Sequence, residues 1–146
     1  MRFFSARKRE FHAALEKLEA AEARVRELES DIAVIEDHQA VLVMSPDGLI
    51  ERTNTLFREA LGYQEHELVG QHHRVLCDQQ YTGSEAYITF WRELVTGHAH
   101  RGLFTHVHAD GHRIQLASRY LPVMSEKGFL KRIITLAESD VPAGCQ

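Results

Sequence analysis

Residues 4–38 contain neither Pro nor Gly and carry apolar side chains at a seven-residue spacing. With position 4 as heptad a, the a positions are Phe4, Phe11, Leu18, Val25 and Ile32. The d positions are Arg7, Ala14, Ala21, Leu28 and Ile35, so after the first heptad the seam is unbroken. A strict apolar heptad predicts a left-handed coiled coil. The g and following e positions pair Lys17 with Glu22 and Arg24 with Glu29, as a parallel homodimer requires, while Asp31 with Glu36 is a repulsive exception. Such a seam exceeds what one small domain can cover, so residues 11–35 are expected to join two copies of the chain rather than to pack on their own domain. Ala14 and Ala21 weaken the first half of the seam, which leaves Leu28, Ile32 and Ile35 to carry most of the association.

Beyond residue 39 the period shortens. Val41–Met44 is a short apolar run, Ser45-Pro46-Asp47-Gly48 is a turn, and Leu49–Thr53 completes a hairpin. Asn54 is placed to cap a helix over Thr55–Leu61 that Gly62 ends. Gln64–Val69 and Gln71–Leu76 predict two short helical pieces, and Ser84 caps a longer helix to about Thr96, stopped by Gly97. A two-residue Asp110-Gly111 turn predicts a second hairpin that pairs Val107 with Ile114 and Thr105 with Leu116. In that register Leu103, Val107, Ile114, Leu116 and Tyr120 share the face toward the core or a ligand pocket, and His106, His108, Arg113, Gln115 and Arg119 share the solvated one. Pro122 closes that strand, and Phe129–Ala137 forms the last. Two strands, several short helices, one longer helix and three strands make an α+β domain, a five-stranded antiparallel sheet with helices on one face. The domain organisation expected is a coiled-coil helix over 1–38, the globular domain over 39–140, and a tail or linker over 141–146.

Composition narrows the function. Lys and Arg number 17 against 21 Asp and Glu, a net charge of −4, which lacks the basic excess of a nucleic-acid binder. No apolar run is long enough to span a membrane, and residues 1–9 lack the apolar stretch of a secretory signal. Cys77 and Cys145 form no disulfide framework and are read as reduced thiols of a cytoplasmic protein. No Ser-His-Asp set, paired carboxylate or phosphate loop stands at a recognisable spacing, so the chain is not expected to be an enzyme.

The ordered features of residues 40–138 resemble a PAS domain. The residues behind the likeness are Asn54, Phe57, Leu61-Gly62-Tyr63 and Glu67-Leu68-Val69-Gly70, then His72-His73-Arg74-Val75-Leu76-Cys77-Asp78, Tyr81, Ser84-Glu85 and Tyr87. Phe90-Trp91, Leu94, Gly97, Gly102, Asp110-Gly111 and Tyr120-Leu121-Pro122-Val123 complete it. The stretch from Gly70 through Trp91 resembles the PAS domains of bacterial cytoplasmic chemoreceptors, the methyl-accepting proteins concerned with oxygen, redox state and biofilm dispersal. The likeness implies a sensor of a small ligand, oxygen or redox state that relays through a dimeric coiled coil. It implies too that the chain is part of a longer receptor, whose output domain reaches a chemotaxis kinase through an adaptor. A ligand-free PAS module for dimerisation and docking is the alternative, with a His-rich metal-binding module behind it.

The likeness also brings candidate cofactors, haem or FAD, with no cofactor as the third outcome. Haem requires an imidazole ligand, which His72 or His73 offers; neutral histidines that cap or bond the backbone are the plainer reading. Flavin-binding relatives often carry a Trp where His100 stands, and an imidazole stacks less well than an indole. Trp91, at helical spacing from Tyr87 and Leu94, belongs to the core, yet with Leu116 and Asn54 it completes the expected site. Ten histidines invite a metal through His106 and His108 with His98, His100 or His112 nearby. A solvated histidine face is preferred to it, so no metal ligand is assigned.

Overall fold

A computed structural model describes residues 2–138 of the chain. Met1 and residues 139–146 lie outside them, and with them Cys145 and the tail expected over 141–146. The chain divides into two units between Asp37 and His38. The first is a single helix, α1 (Arg2–Glu36), in which no side chain is buried. Phe11, Leu18, Val25, Leu28, Ile32 and Ile35 are exposed along it. Its Arg24–Glu27 ion pair, 2.8 Å long and solvated, contributes at most a few tenths of a kcal/mol.

Among the described residues, the second unit holds five strands: β1 (Ala40–Met44), β2 (Ile50–Thr53), β3 (His100–Val107), β4 (Arg113–Met124) and β5 (Leu130–Glu138). They form one antiparallel sheet in the order β2-β1-β5-β4-β3. Between β2 and β3 run α2 (Thr55–Leu61), α3 (Glu65–Leu68), a 3-10 turn (His73–Leu76), α4 (Gln79–Thr82) and α5 (Glu85–Val95). Phe57, Leu61, Leu68, Leu76, Phe90 and Leu94 from these pieces bury against Leu42, Met44, Ile50, Leu116, Tyr120 and Ile133 from the sheet. The chain thus has the α+β architecture read from its pattern.

Local chemistry sets the element ends. The Gly48 N–H closes the first turn on the Ser45 carbonyl at 2.9 Å. Gly48 sits at φ +81°, and a Cβ there would lie 2.7 Å from His72 Nε2, so both conformation and space require glycine. Asn54 caps α2 through Oδ1, which accepts the Phe57 N–H at 3.0 Å and the Val41 N–H at 2.9 Å. The Ser84 hydroxyl accepts the Tyr87 N–H at the start of α5. The helix expected over Gln71–Leu76 is shorter, because Gln71 and His72 run extended beside Gly48–Ile50 and the 3-10 turn begins only at His73. There Ile50 N–H donates to the Gln71 carbonyl and His73 N–H to the Gly48 carbonyl, at 2.8 and 2.9 Å.

The register of the β3–β4 hairpin differs from expectation by one residue. Leu116 pairs with Phe104 rather than Thr105, and Ile114 with His106 rather than Val107. The cause is a three-residue loop. His108 N–H donates to the His112 carbonyl at 2.8 Å, leaving Ala109, Asp110 and Gly111 between them, with Gly111 at φ +95°. A type I turn closed by a positive-φ glycine is the common three-residue alternative to a two-residue turn. One added loop residue inverts every side chain of β3 relative to β4. His106, expected in water, is 1% exposed, and Leu103, expected in the core, is 71% exposed. β4 keeps the expected orientation, with Leu116 1% exposed and Gln115 outward.

Leu116→Ala is expected to cost about 2–5 kcal/mol through the cavity it leaves, and Gln115→Ala to fall within about 0.5 kcal/mol of the parent. Urea denaturation of the two variants checks this, and the reverse ranking would place β4 in the other register.

Candidate functional site

The interior against β3 and β4 contains a line of polar side chains. His73, held by its backbone bond to Gly48, points its ring into the core. Its Nδ1 lies 3.1 Å from the Tyr87 hydroxyl on α5, and its Nε2 lies 3.0 Å from the Tyr120 hydroxyl on β4. The Tyr120 hydroxyl is 3.3 Å from His106 Nε2, and His106 Nδ1 is 3.3 Å from its neighbour's carbonyl, that of Phe104.

Proton positions along this line follow from its last member. A carbonyl only accepts, so His106 Nδ1–H donates to Phe104. His106 Nε2 then accepts from Tyr120, whose oxygen accepts His73 Nε2–H, and His73 Nδ1 accepts from Tyr87. Every group is satisfied with both imidazoles neutral. Burial pushes the His73 imidazole down to about 3, with His106 and His72 adding smaller like-charge effects. Burial likewise lowers His106 to about 4, and the bond to Phe104 opposes this only in part. The Cys77 thiol, 3.5 Å from His73 Nδ1, is pushed up to about 12 by burial.

This line forms part of the wall of a cleft of about 630 Å³ between α4, α5, β3 and β4. Phe90, Phe104 and Tyr81 give it aromatic surface, and His73, His106 and Tyr120 give it polar atoms. At the rim Arg113 reaches across to Asp78, 2.6 Å away. Asp78 also accepts the Gln80 N–H and so caps α4.

The expected site residues are spread over several places. His73 alone among them lines this cleft. His72 Nδ1 accepts the Arg74 N–H at 3.1 Å and caps the 3-10 turn. His72 and Trp91 line a separate hollow of about 350 Å³, their rings 5.7 Å apart. The Trp91 indole N–H makes no hydrogen bond of good geometry, though it lies near enough to the Tyr87 hydroxyl to favour its anion slightly. His100 stands 4.9 Å from Phe90, with Nε2 2.9 Å from the Glu93 carboxylate. Leu116 is packed in the core. Asn54 spends both side-chain polar atoms on backbone, Nδ2 donating to the Gln39 carbonyl at 2.6 Å. Tyr87 and Tyr120, which complete the polar line with His106, stand among the residues that carry the PAS likeness but are not singled out by it as site residues, and His106 has no motif of its own. Only a three-residue reading of the Ala109-Asp110-Gly111 loop would have turned His106 inward.

The fold and the ligand-sized cleft between helices and sheet define a PAS-type sensory domain. The PAS fold family matches residues 36–139, and the chain belongs to that family. It is 34% identical over 112 residues to the biofilm dispersion protein BdlA of Pseudomonas aeruginosa, a match that covers 77% of this chain and 27% of that protein. This chain thus spans about a quarter of that relative's length. Among solved structures it resembles a domain of the sensory box sensor histidine kinase/response regulator from Geobacter sulfurreducens, with TM-score 0.64, 17% identity, and coverage of 78% of this chain and 96% of that one. It also resembles the Rhodobacter sphaeroides LOV protein, with TM-score 0.64, 14% identity, and coverage of 73% and 62%.

The buried imidazoles link stability to pH. Free imidazole protonates near 6.5, whereas folded His73 and His106 stay neutral to about 3 and 4. Below pH 6.5 the unfolded chain therefore binds protons that the folded chain excludes, and stability falls as acid is added. The loss is about 1.4 kcal/mol per pH unit for each histidine. Urea midpoints should fall between pH 7 and 5, and His106→Leu, whatever its absolute stability, should flatten the slope. An unchanged slope would mean that His106 titrates normally.

Proposed function

We propose that the chain is the sensory part of a cytoplasmic chemoreceptor-type transducer, that it binds a small planar molecule in the cleft beside His73, and that it works as a dimer through α1. The observation that carries this is the pairing of an aromatic wall, Phe90 and Phe104, with a neutral polar wall, His73, Tyr120 and His106. Planar rings stack on the first, and an orienting group bonds to the second. A charged ligand head is disfavoured there, since the charges that line the cleft, Arg113 and Asp78, are paired with each other at its rim. The role is reception rather than catalysis: a thiol held near 12, as Cys77 is, supplies no nucleophile at neutral pH.

Of the cofactors that the resemblance brings, haem fits these residues poorly. An axial imidazole needs a free nitrogen lone pair, but both His73 nitrogens are bonded, and His72, which lines a separate hollow, accepts the Arg74 N–H at Nδ1 and so carries its proton on Nε2, beside the Asp47 backbone. A flavin ring belongs to the planar class that the cleft suits, with Phe90 and Phe104 as its stacking surface. His100, paired with Glu93, would then act from behind Phe90 rather than on the ring.

An absorbance spectrum of the purified chain, before and after reconstitution, separates the cases. Paired near-ultraviolet and blue bands are expected if the ligand is flavin. A Soret band lost in His73→Ala would restore haem. A colourless sample is to be screened with planar small molecules by thermal shift, where a hit should be weakened in Phe104→Ala, which removes part of the aromatic wall. If nothing binds in any arm, the chain is a ligand-free dimerisation and docking module.

The exposed heptad seam of α1, with Lys17–Glu22 and Arg24–Glu29 at matching g and e positions, supports a second copy of this chain as its partner. Leu28→Asp with Ile32→Asp places unpaired charge in that seam, at a cost of several kcal/mol, on the order of the penalty for a buried polar group. Sedimentation should show a monomer. A variant that dimerises as tightly as the parent would move the interface off α1.

A further inference from the structure

We infer that the tip of the β3–β4 hairpin is a binding site for a divalent transition-metal ion, held by His108, Asp110 and His112. The inference stands apart from the ligand reading of the cleft. The three residues each offer a ligand atom, and these atoms lie within 4.8 Å of one another. The His108 and His112 rings are stacked with centroids 4.4 Å apart. Both Nδ1 atoms approach the same Asp110 oxygen, His108 at 3.1 Å and His112 in close contact.

The spacing suits coordination. Bonds of 2.0–2.1 Å in a tetrahedron separate neighbouring ligand atoms by about 3.3 Å. The His108–Asp110 separation of 3.1 Å is already near that edge. His108 Nδ1 accepts the Asp110 N–H at 3.2 Å, so it is an unprotonated nitrogen whose lone pair faces the carboxylate side of the turn. Two lone pairs, on Nδ1 and on the carboxylate oxygen, face each other there, and a cation between them turns repulsion into coordination. The Asp110 N–H, in an exposed turn, passes to water. Two imidazoles and one carboxylate form a nitrogen-rich set, which selects zinc, cobalt, nickel or copper over magnesium or calcium.

The turn alone accounts for part of this arrangement, since Asp110 also accepts the His112 N–H at 3.0 Å. It does not account for His108, which is held from the other side. A Cβ on Gly62 would lie 2.4 Å from His108 Cε1, so the ring rests against the glycine that ends α2. Ala109 N–H donates to the Leu61 carbonyl at 2.8 Å, and the Tyr63 hydroxyl donates to the Val107 carbonyl at 3.0 Å. The hairpin tip is thus fixed on α2, and one ligand ring is oriented before any ion arrives. His106, the histidine two residues earlier on the same face, takes no part, because it is committed to Tyr120 and Phe104 in the core.

The test is titration of the untagged, metal-free chain with Zn²⁺ by calorimetry and with Co²⁺ by visible absorption. One equivalent is expected, with a rise in melting temperature on Zn²⁺. His112→Ala and Asp110→Asn, both at exposed tip positions, should each weaken binding at least about tenfold and remove the thermal shift. His66→Ala, an exposed histidine elsewhere, should leave both unchanged. Circular dichroism verifies that the variants fold, and His112→Gln replaces any that does not. Absence of binding by the parent, or equal affinity in His112→Ala and Asp110→Asn, overturns the site.

Discussion

The hydrogen-bonded line from Tyr87 through His73, Tyr120 and His106 to the Phe104 carbonyl ties the helical side of the domain to its sheet. An apolar core needs only volume and shape. This line also needs direction, because each member must donate one way and accept the other. The direction is set at one end, by a carbonyl that cannot donate. It passes through two imidazoles whose neutrality is enforced by burial. A buried polar group left unpaired costs about 1–3 kcal/mol, so the loss of any member is felt by its neighbours on two elements. α5, the 3-10 turn, β3 and β4 are therefore held in one relative placement, and the cleft beside them takes its shape from it.

That placement begins with backbone chemistry far from the cleft. Gly48 lets the first turn close and leaves room for the His72 ring. Gln71 and His72 then run extended beside Gly48–Ile50, and His73 at the start of the 3-10 turn donates to the Gly48 carbonyl, which sends neighbouring histidines to opposite environments. His72 meets the surface, where it caps a turn, and His73 enters the core. Two adjacent residues of one type thus acquire different chemistry from a single β-like pairing.

Much of this was legible in the sequence where local chemistry decides. Asn54, Gly62, Ser84 and the Ser45–Gly48 turn end their elements as their residue types require. α1 follows from an uninterrupted run of helix formers. The β3–β4 hairpin was less legible, because Asp110-Gly111 serves a two-residue turn and a three-residue loop equally well, and both strand faces of β3 offer apolar residues. Leu103 and Val107 compete with Phe104 for the core, and hydrophobicity alone favours the wrong set. What tips the balance is the partner that His106 finds inside, a tyrosine hydroxyl from β4 and a carbonyl from its own strand. Such compensation is a tertiary fact that no single segment displays. The site was legible in part, since His73 is a candidate on sequence grounds and Tyr120 falls on the inward face, but His106 is read as a surface residue until its hydrogen-bond partners are known.

The register also explains why one hairpin contains two kinds of histidine. His106 and His108 alternate along the same face, yet the first lies under the helices and the second reaches the hairpin tip beside Gly62. Inside, the surrounding apolar volume holds the imidazole neutral, so its role is directional hydrogen bonding. At the tip, an exposed carboxylate and a second imidazole lie within reach, and the same side chain becomes a potential donor to a cation. In the register with a two-residue turn, both would have faced water and neither environment would have formed. The extra loop residue, stabilised by the positive φ of Gly111, is therefore a condition for the polar line in the core and for the histidine cluster at the tip alike.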